Sequence, residues 1–446
     1  MSVISGKKKL MLESVQQHLS DSVFCYQPEG YSSKYPNLPG YVGIEVEMLP
    51  VDQEMALIPL QGEQGSAGIL AAIVKKFGGS LQYMDAEQGF SGGISGLRTS
   101  TGDNFTFEPG GQLEFSSKPY PCLNDAVNRI DALQRALDEE VGNRHVKLFQ
   151  TGINPVQTVD EIGLQMTKPR YVAMNDFFSE IGPYGQRMMR QTCTLQVNLD
   201  LGRSETCLAK RYLLANLLAP IATATFANSP MIDGLLTDYA SFRSKVWQEL
   251  DPSRTGFPKN LSQILKDLSL ASCVQNYLDL LLDSRVVFIE ALNYKVPAKP
   301  VTFREWMNSG IDGVFPTMSD LKTQESLLFP EVRVRGFLEM RSLDCQGRAF
   351  QEVPAAYYSA LLYDEQSMDK ALDLLEPMLQ KLDELWIRSS YGMHDEGIAK
   401  MVYQVGELAL DGFSRLPDCY QGDSTRKQLH AFFNRFIEQG RNPAAD

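Results

Sequence analysis

Alternation of apolar and polar residues marks several stretches of the chain as half-buried β-strands. The first is NFTFEPGGQLEFSS, residues 104–117, which contains two short alternating runs. Their apolar positions are Phe105, Phe107, Leu113 and Phe115. The intervening PGG supplies a fixed φ and two permissive backbones, so a turn or bulge is predicted between the two strands. The polar positions gathered on one face by this turn are Glu108, Gln112 and Glu114.

Three further stretches, GIEVEM, TCTLQVNLD and EVRVRGFLEMR, show the same alternation. Their polar faces carry Glu45, Glu47, Thr192, Thr194, Gln196, Asn198, Asp200, Arg333, Arg335, Glu339 and Arg341. Taken singly, each stretch is typical of an amphipathic strand with one solvated side. Taken together they concentrate carboxylates and amides and confine arginine to one strand, which favours a functional site.

Carboxylates on such a face predict a cation. Glu45 and Glu47 lie about 7 Å apart along a strand, and at an effective dielectric near 20 this pair alone repels by roughly 2 kcal/mol. Convergence of further glutamates on the same face would add to this repulsion. Ligands that are all oxygen indicate Mg²⁺ or Mn²⁺ rather than zinc.

The remaining chain reads as mostly helical. Apolar spacing and capping residues predict helices near residues 7–20, 66–79, 123–141, 204–227, 239–250, 354–363, 367–387 and 394–410, and a strand from Val146. The Gly- and Ser-rich residues 88–103 are either a phosphate-binding loop that includes Arg98 or a flexible hairpin. We expect a single domain, with a sheet-bearing core over about residues 38–345 and a helix-rich part over about 350–446.

Composition narrows the possible partners. The formal net charge of −13 argues against binding to nucleic acid. No secretory signal or transit peptide is apparent, and the longest apolar region, residues 213–226, is too short to span a bilayer. Seven scattered cysteines without CxxC spacing fit reduced thiols, so a cytoplasmic location is expected.

Other reaction classes find little support in the sequence. The chain has four histidines and lacks both HExxH and Cys/His metal spacing. It also lacks a GxSxG nucleophile elbow. What remains is a carboxylate-lined strand face with nearby arginines, which suits a complex of metal and nucleotide.

At these residues the chain resembles the plant-type glutamate-cysteine ligases and their proteobacterial relatives, within the carboxylate-amine ligase group. The resemblance is carried, in order, by GIEVE, FEPGGQLEFS, RYVAM, MMRQTCTLQVNLD, ANSP, SRTGF, TFREWM and FPEVRVRGFLEMRSLD. It implies an α+β, glutamine-synthetase-like fold, in which helices surround a funnel formed by a curved, mainly antiparallel sheet. It also implies a monomer or homodimer that joins L-glutamate to L-cysteine with ATP, giving γ-glutamylcysteine, ADP and phosphate.

The resemblance further implies roles for individual residues. The implied Mg²⁺ (or Mn²⁺) ligands are Glu45, Glu47, Glu108, Glu114, Glu339 and Gln196. The expected contacts to ATP are Gln112 and Asn198, together with Arg98 from the Gly- and Ser-rich loop. Arg254 and Arg341 become candidate catalytic residues that grip a carboxylate or the transferring phosphoryl group. The implied amino-acid pockets are formed by Arg170, Tyr171, Met174, Thr194 and Thr255.

Departures from the plant pattern keep some alternatives open. Gln191 stands where plant enzymes have arginine, and no cysteine pair here matches the plant redox cysteines. Related ligases serve glutathione or ergothioneine synthesis, and others join glutamate to a different amine. A protein that binds nucleotide or amino acid without turnover is the non-enzymatic alternative.

Overall fold

The computed structural model describes residues 9–27, 37–84 and 92–445. Its strands are β1 (Val42–Val51), β2 (Gly79–Tyr83), β3 (Ile94–Thr99), β4 (Asn104–Phe107), β5 (Leu113–Ser116), β6 (Lys147–Phe149), β7 (Leu195–Asp200), β8 (Met231–Ile232), β9 (Leu235–Leu236), β10 (Thr255–Gly256), β11 (Phe329–Pro330), β12 (Val332–Val334) and β13 (Phe337–Met340).

The helices carry most of the remaining described chain. They are α1 (Leu12–His18), α2 (Ser66–Phe77), α3 (Leu123–Gly142), α4 (Val159–Ile162), α5 (Pro169–Ile181), α6 (Pro183–Arg190), α7 (Glu205–Thr225), α8 (Phe242–Leu250), α9 (Leu261–Asp267), α10 (Leu270–Asp283), α11 (Phe303–Ser309), α12 (Met318–Ser326), α13 (Val353–Tyr363), α14 (Glu365–Leu375), α15 (Leu382–Ser389), α16 (Glu396–Arg415) and α17 (Asp423–Phe432). In this part of the chain, no helix is both long and apolar enough to cross a membrane.

One large antiparallel sheet organises the molecule. Its strand order is β12-β13-β7-β1-β5-β4-β3-β2, with β6 pairing to β1 beside this path. Over the described residues the sheet stays open and does not close into a barrel. All four alternating stretches of the sequence lie in it, and their strands occupy consecutive places from β12 to β4. The predicted antiparallel sheet with surrounding helices is confirmed.

The predicted turn between β4 and β5 is present. The Gly111 amide donates to the Glu108 carbonyl at 2.8 Å, which closes a four-residue turn. Gly111 has a φ of +90°, which an L side chain rarely adopts. Gly110 packs so closely against the backbone carbonyl of Arg190 that a Cβ would clash with it. The PGG sequence therefore serves both the turn and its contact with α6.

Helices cover the sheet on its apolar side. Alternate residues of β1 point into a continuous core, and α7 is buried along almost its whole length within the same core. The predicted cap of α7 is confirmed, because the Ser204 hydroxyl accepts from the Cys207 amide at 3.1 Å. The core also includes residues of the C-terminal helices α13–α17. The single-domain organisation stays a prediction.

Several predicted elements differ from the structure. The region 367–387 is not one helix, because a 3₁₀ segment (Glu376–Lys381) with a proline near its start separates α14 from α15. The helix predicted over 7–20 is shorter, and it is not simply exposed, since Val15 is fully buried. Within the predicted loop 88–103, residues 94–99 form β3, whereas residues 88–91 lie outside the described chain.

Candidate active site

A cavity of about 260 Å³ lies over the polar face of the central strands. Five glutamates from β1, β5, β13 and the β4–β5 turn line it, namely Glu45, Glu47, Glu108, Glu114 and Glu339. The opposite wall comes from α5, α6 and α8, which contribute Arg170, Tyr171, Met174, Met188, Met189, Arg243 and Trp247. The convergence of acidic side chains from distant parts of the sequence is therefore present in the structure.

Strand register explains this convergence. Glu47 on β1 is directly opposite Glu114 on β5, and Glu45 is directly opposite Gln196 on β7. Residues at opposite positions in an antiparallel pair have their side chains on the same face. The alternation within each strand, combined with this register, places all these polar groups on the cavity side.

Three of the glutamates form a tight cluster. Glu47, Glu108 and Glu114 each offer a carboxylate oxygen, and these oxygens lie within 4.8 Å of one another. Glu114 accepts hydrogen bonds from the hydroxyls of Thr106 and Ser116, at 3.0 and 2.8 Å. Two ionised carboxylates at this separation repel by about 3.5 kcal/mol at an effective dielectric near 20. The arrangement is strained unless protons or a cation neutralise it.

Burial and mutual repulsion shift the pKa values of this cluster upward. Burial is the larger cause in each case, and the neighbouring carboxylates add to it. The pKa of Glu114 is raised to about 7, and the pKa values of Glu47 and Glu108 are also raised. Glu47 additionally accepts a hydrogen bond from the Thr194 amide at 2.8 Å. The cluster therefore holds protons at a pH where isolated carboxyls are ionised.

Glu45 lies beside this cluster with a partner of its own. The Asn198 side-chain amide donates to its Oε1 at 2.8 Å. Burial, followed by repulsion from Glu114 and Glu339, raises the pKa of Glu45 to about 8. Asn198, expected to contact ATP, does not line the cavity and instead orients Glu45.

Glu339 is held by arginines rather than by the acidic cluster. Arg333 makes two hydrogen bonds to its carboxylate, at 2.6 and 2.8 Å, and Arg341 donates to it at 2.9 Å. Although burial opposes ionisation, these guanidinium groups lower the pKa of Glu339 to about 2. Arg341 also donates to Gln196 at 3.2 Å, and its guanidinium lies 5.5 Å from the ring centre of Trp247.

Arg243 is a cavity residue that the sequence patterns did not identify. Its side chain is only 2% exposed, and one of its Nη atoms donates to the Arg341 carbonyl at 2.8 Å. No carboxylate among the described residues lies within ion-pair distance of it, although its charge acts on the buried carboxyls of Asp344, Glu331 and Glu47, whose pKa values it partly lowers against the effect of burial. Its Nε has no hydrogen-bond partner there. A buried guanidinium that lines a cavity and forms no ion pair is suited to bind an anion. Strand alternation could not reveal it, because Arg243 lies in a helix.

Other predicted residues do reach the cavity. Arg170, Tyr171 and Met174 line it from α5, and Thr194 lines it from the segment entering β7. Gln112 lines it as well, with its amide nitrogen donating to the Thr192 carbonyl at 2.8 Å. Its buried Oε1 has no donor among the described residues, which leaves a hard oxygen free beside the three-glutamate cluster.

Arg254, expected to be catalytic, is placed elsewhere. It is fully buried away from the cavity lining and forms an ion pair with Asp251 at 2.8 Å. One of its Nη atoms donates to the Leu327 carbonyl at 2.8 Å. Another Nη atom donates to the Arg285 carbonyl, so the guanidinium joins the segment after α8 to the segments around Arg285 and Leu327, and its catalytic role stays a prediction. The predicted substrate contact Thr255 is also used internally, because its hydroxyl donates to the Asp251 carbonyl at 3.0 Å.

Arg98, expected to contact ATP, also lies outside the cavity. It is an exposed residue of β3, a strand separated from β1 by β5 and β4. Its neighbours in the ladder are Ser80 and Asn104. The expectation rested on a loop that is partly outside the described residues, and the described part is a regular strand.

The fold and the sequence of this chain are similar to those of known proteins. A solved structure of glutamate-cysteine ligase from Francisella tularensis in complex with AMP superposes with a TM-score of 0.53 at 11% identity, covering 92% of this chain and 84% of that one. The similarity shows a shared fold. It supports the ligase-type architecture predicted from the sequence.

A family model described as glutamate-cysteine ligase family 2 (GCS2) matches residues 41–393. The chain belongs to this family, and the predicted family of ligases is confirmed. Similar curated proteins are the chloroplastic glutamate-cysteine ligases of Nicotiana tabacum (31% identity, covering 77% of this chain and 66% of the relative), Medicago truncatula (31%, 76% and 71%) and Arabidopsis thaliana (31%, 72% and 62%). The matches span about two thirds of each relative's length.

The expected cytoplasmic location is wrong, because the three similar enzymes named above are described as chloroplastic. The expectation rested on scattered, unpaired cysteines. Such cysteines indicate a reducing compartment and do not distinguish one reducing compartment from another.

Proposed function

We propose that this protein uses ATP to join the γ-carboxylate of L-glutamate to the amino group of L-cysteine; its relatives are named glutamate-cysteine ligases. Membership of the glutamate-cysteine ligase family carries the proposal. The cavity supports it, because one end is rich in carboxylates and the other in arginines. The reaction needs both, since a metal-nucleotide complex and an anionic amino acid must be held together.

Magnesium fits the three-glutamate cluster. Glu47, Glu108 and Glu114 provide hard oxygen ligands within one coordination sphere, and the unpartnered Oε1 of Gln112 lies beside them. Bound Mg²⁺ supplies positive charge that offsets the charge of the carboxylates and of ATP phosphate oxygens. Glu45, Glu339 and Gln196 are candidates for a second ion, for which Glu339 would exchange an arginine contact for the metal. Mn²⁺ is the natural alternative for the same ligands.

Arginines provide the anion-binding side. Arg341 and Arg333 face the cavity next to Glu339 and suit the oxygens of the transferring phosphoryl group. Arg243 is buried, lines the cavity, forms no ion pair with a carboxylate of the described residues, and suits the α-carboxylate of glutamate. The remaining wall, with Arg170, Tyr171 and Met174, forms the rest of the amino-acid pockets.

The chemistry proceeds in two displacements. An oxygen of the γ-carboxylate attacks the γ-phosphorus of ATP, the bond to the ADP oxygen breaks, and γ-glutamyl phosphate forms. The cysteine nitrogen then attacks the acyl carbon, the carbon–oxygen bond to phosphate breaks, and the nitrogen loses a proton to solvent. This scheme assigns no residue the role of base.

The test is phosphate release with Mg-ATP, L-glutamate and a panel of amines. We expect release only when glutamate and cysteine are both present. Turnover with another amine but not with cysteine would assign a different acceptor, and binding of ATP without turnover would support a non-catalytic protein.

A pair of variants tests the metal cluster. Glu108→Gln should lose nearly all turnover, because it removes a ligand charge at similar volume. Glu54→Gln, which changes an exposed residue outside the cavity, should retain it. Near-normal turnover of Glu108→Gln at saturating Mg²⁺ would refute the ligand assignment.

A further inference from the structure

Arg243 reaches the cavity from the first turn of α8, a helix of nine residues whose N-cap is Ser241 and whose first residue is Phe242. The Ser241 hydroxyl caps this helix by accepting from the Ser244 amide at 3.0 Å. Because α8 is short and carries its anion-binding group at its start, the position of this first turn sets the position of the guanidinium.

A buried carboxylate, Asp344, fixes that turn. It is 1% exposed, lies just beyond β13, and does not line the cavity. One oxygen accepts from the Ser241 hydroxyl at 2.9 Å. The other accepts from the Asn228 amide and the Ser229 hydroxyl, each at 2.7 Å. The side chain thus joins the segment before α8 to the segment that follows α7.

Hydrogen bonds hold Arg243 at both its backbone amide and its guanidinium. The Ser229 hydroxyl, held by Asp344, accepts from the Arg243 amide at 3.1 Å. The Arg243 guanidinium donates to the carbonyl of Arg341, three residues before Asp344 in the chain. Asp344, Ser229, Arg243 and Arg341 therefore form a closed ring that fixes both the backbone and the side chain of Arg243.

The local packing leaves Asp344 little freedom. Gly152 lies against its carboxyl group so closely that a Cβ at this position would clash with it. Thr194, which lines the cavity, forms an isolated antiparallel bridge with Asp344. A charged group at this depth is costly to bury unless it is fully hydrogen-bonded. Three donors meet that requirement here, one from Ser241 just before α8 and two from Asn228 and Ser229 in the segment after α7.

We propose that Asp344 is a positioning residue that holds Arg243 in place to bind the carboxylate of the amino-acid substrate. This inference rests on the proposed function, in which Arg243 contacts that carboxylate. Asp344 touches neither substrate nor metal. Its effect is transmitted through the Ser241 and Ser229 hydroxyls to the first turn of α8.

The experiment compares Asp344→Asn with Glu352→Gln in the full chain. Glu352 is a matched control, because it is buried, accepts from the hydroxyls of Thr425 and Ser424 at 2.7 and 3.3 Å, and lies outside the cavity. Displacing a binding group by about 1 Å costs on the order of a hundredfold in favourable cases. We expect Asp344→Asn to raise KM for glutamate by about tenfold or more, with kcat and KM for ATP changed by less than about threefold. Glu352→Gln should leave KM for glutamate unchanged at a similar loss of stability.

A second readout does not depend on turnover. Amide hydrogen exchange in residues 241–250 should accelerate in Asp344→Asn and remain at the wild-type rate in Glu352→Gln. If Asp344→Asn folds too poorly, Ser241→Ala removes one of the three hydrogen bonds and should change both readouts in the same direction by a smaller amount.

The outcomes separate the inference from the proposed function. Wild-type protein without glutamate-dependent turnover would refute the proposed function, and accelerated exchange near α8 would still support the positioning contact. Wild-type turnover with an unchanged glutamate KM in Asp344→Asn would overturn the inference. Equal exchange in both variants would overturn it as well.

Discussion

Replacing Glu114 with glutamine should stabilise the metal-free protein, and by an amount that depends on pH. Burial and the nearby Glu108 raise the pKa of Glu114 from 4.5 to about 7. Each unit of pKa shift corresponds to about 1.36 kcal/mol, so ionisation in the unfolded chain penalises folding by on the order of 3 kcal/mol once the pH exceeds both values. Glutamine cannot ionise, and its side-chain oxygen still accepts from Thr106 and Ser116.

The sign of the effect follows from proton binding. Below pH 4.5 the carboxyl is protonated in both states and contributes no difference. Between pH 4.5 and 7 the unfolded state loses its proton while the folded state keeps it, so wild-type stability falls as pH rises. The variant should therefore gain about 1 kcal/mol over wild type at pH 5.5, and about 3 kcal/mol at pH 8.

Urea denaturation followed by circular dichroism, at pH 5.5 and pH 8 in a chelator, measures this difference. Adding Mg²⁺ at pH 8 should reverse the order, because a ligand at a thousand times its Kd stabilises the folded state by about 4.1 kcal/mol, which exceeds the difference of about 3 kcal/mol. The variant, lacking one ligand charge, should gain much less. Glu54→Gln, at an exposed position, should match wild type throughout.

Two results would refute this reasoning. A difference in unfolding free energy that stays constant between pH 5.5 and 8 would show that Glu114 is not held in a repulsive, buried cluster. Equal stabilisation of both proteins by Mg²⁺ would show that Glu114 is not a metal ligand.

Three other substitutions test neighbouring features. Arg243→Lys should raise KM for glutamate by about tenfold or more, because lysine cannot form the same two-pronged contact; initial-rate kinetics measure this. Arg254→Gln should cost about 3 kcal/mol in urea denaturation, since it removes one of the two arginines that pair with the buried Asp251 and leaves only Arg285, while kcat of the folded protein should stay near wild type. Gly110→Ala should cost about 1–3 kcal/mol through its clash with the Arg190 carbonyl, and it should also weaken Mg²⁺ binding by moving Glu108.

The faces of the strands could be predicted from the sequence because alternation is a local property. In β1, β4, β5, β7 and β13 the polar positions lie on the side that the pattern indicated. The PGG turn could be predicted for a similar reason, since its conformation depends on the residues themselves. Register could not be predicted, because the pairing of Glu47 with Glu114 joins positions 67 residues apart in the sequence.

The positions of Arg254 and Arg243 show that local sequence alone does not determine the environment of a side chain. Arg254 was expected to grip a carboxylate or the transferring phosphoryl group, yet Asp251, three residues earlier, forms an internal ion pair with it. That spacing was the available signal for a structural role. Arg243 lies in a helix, where no alternation separates cavity residues from buried ones. Only the packing of α8 against the sheet shows that its guanidinium enters the cavity.

Strand order also explains how the cavity divides its charge. From β12 to β5 the sheet presents arginines on β12 and after β13, amides and hydroxyls on β7, and glutamates on β1 and β5. Glu339 fits this division, because two arginines neutralise it on its own side. With strands about 4.8 Å apart, the gradient from cationic to anionic groups extends over roughly 19 Å. A polyphosphate lying along this gradient would meet guanidinium groups directly at one end and, through a divalent ion, carboxylates at the other. We therefore propose that the order of strands, rather than any single residue, sets the direction in which ATP would lie.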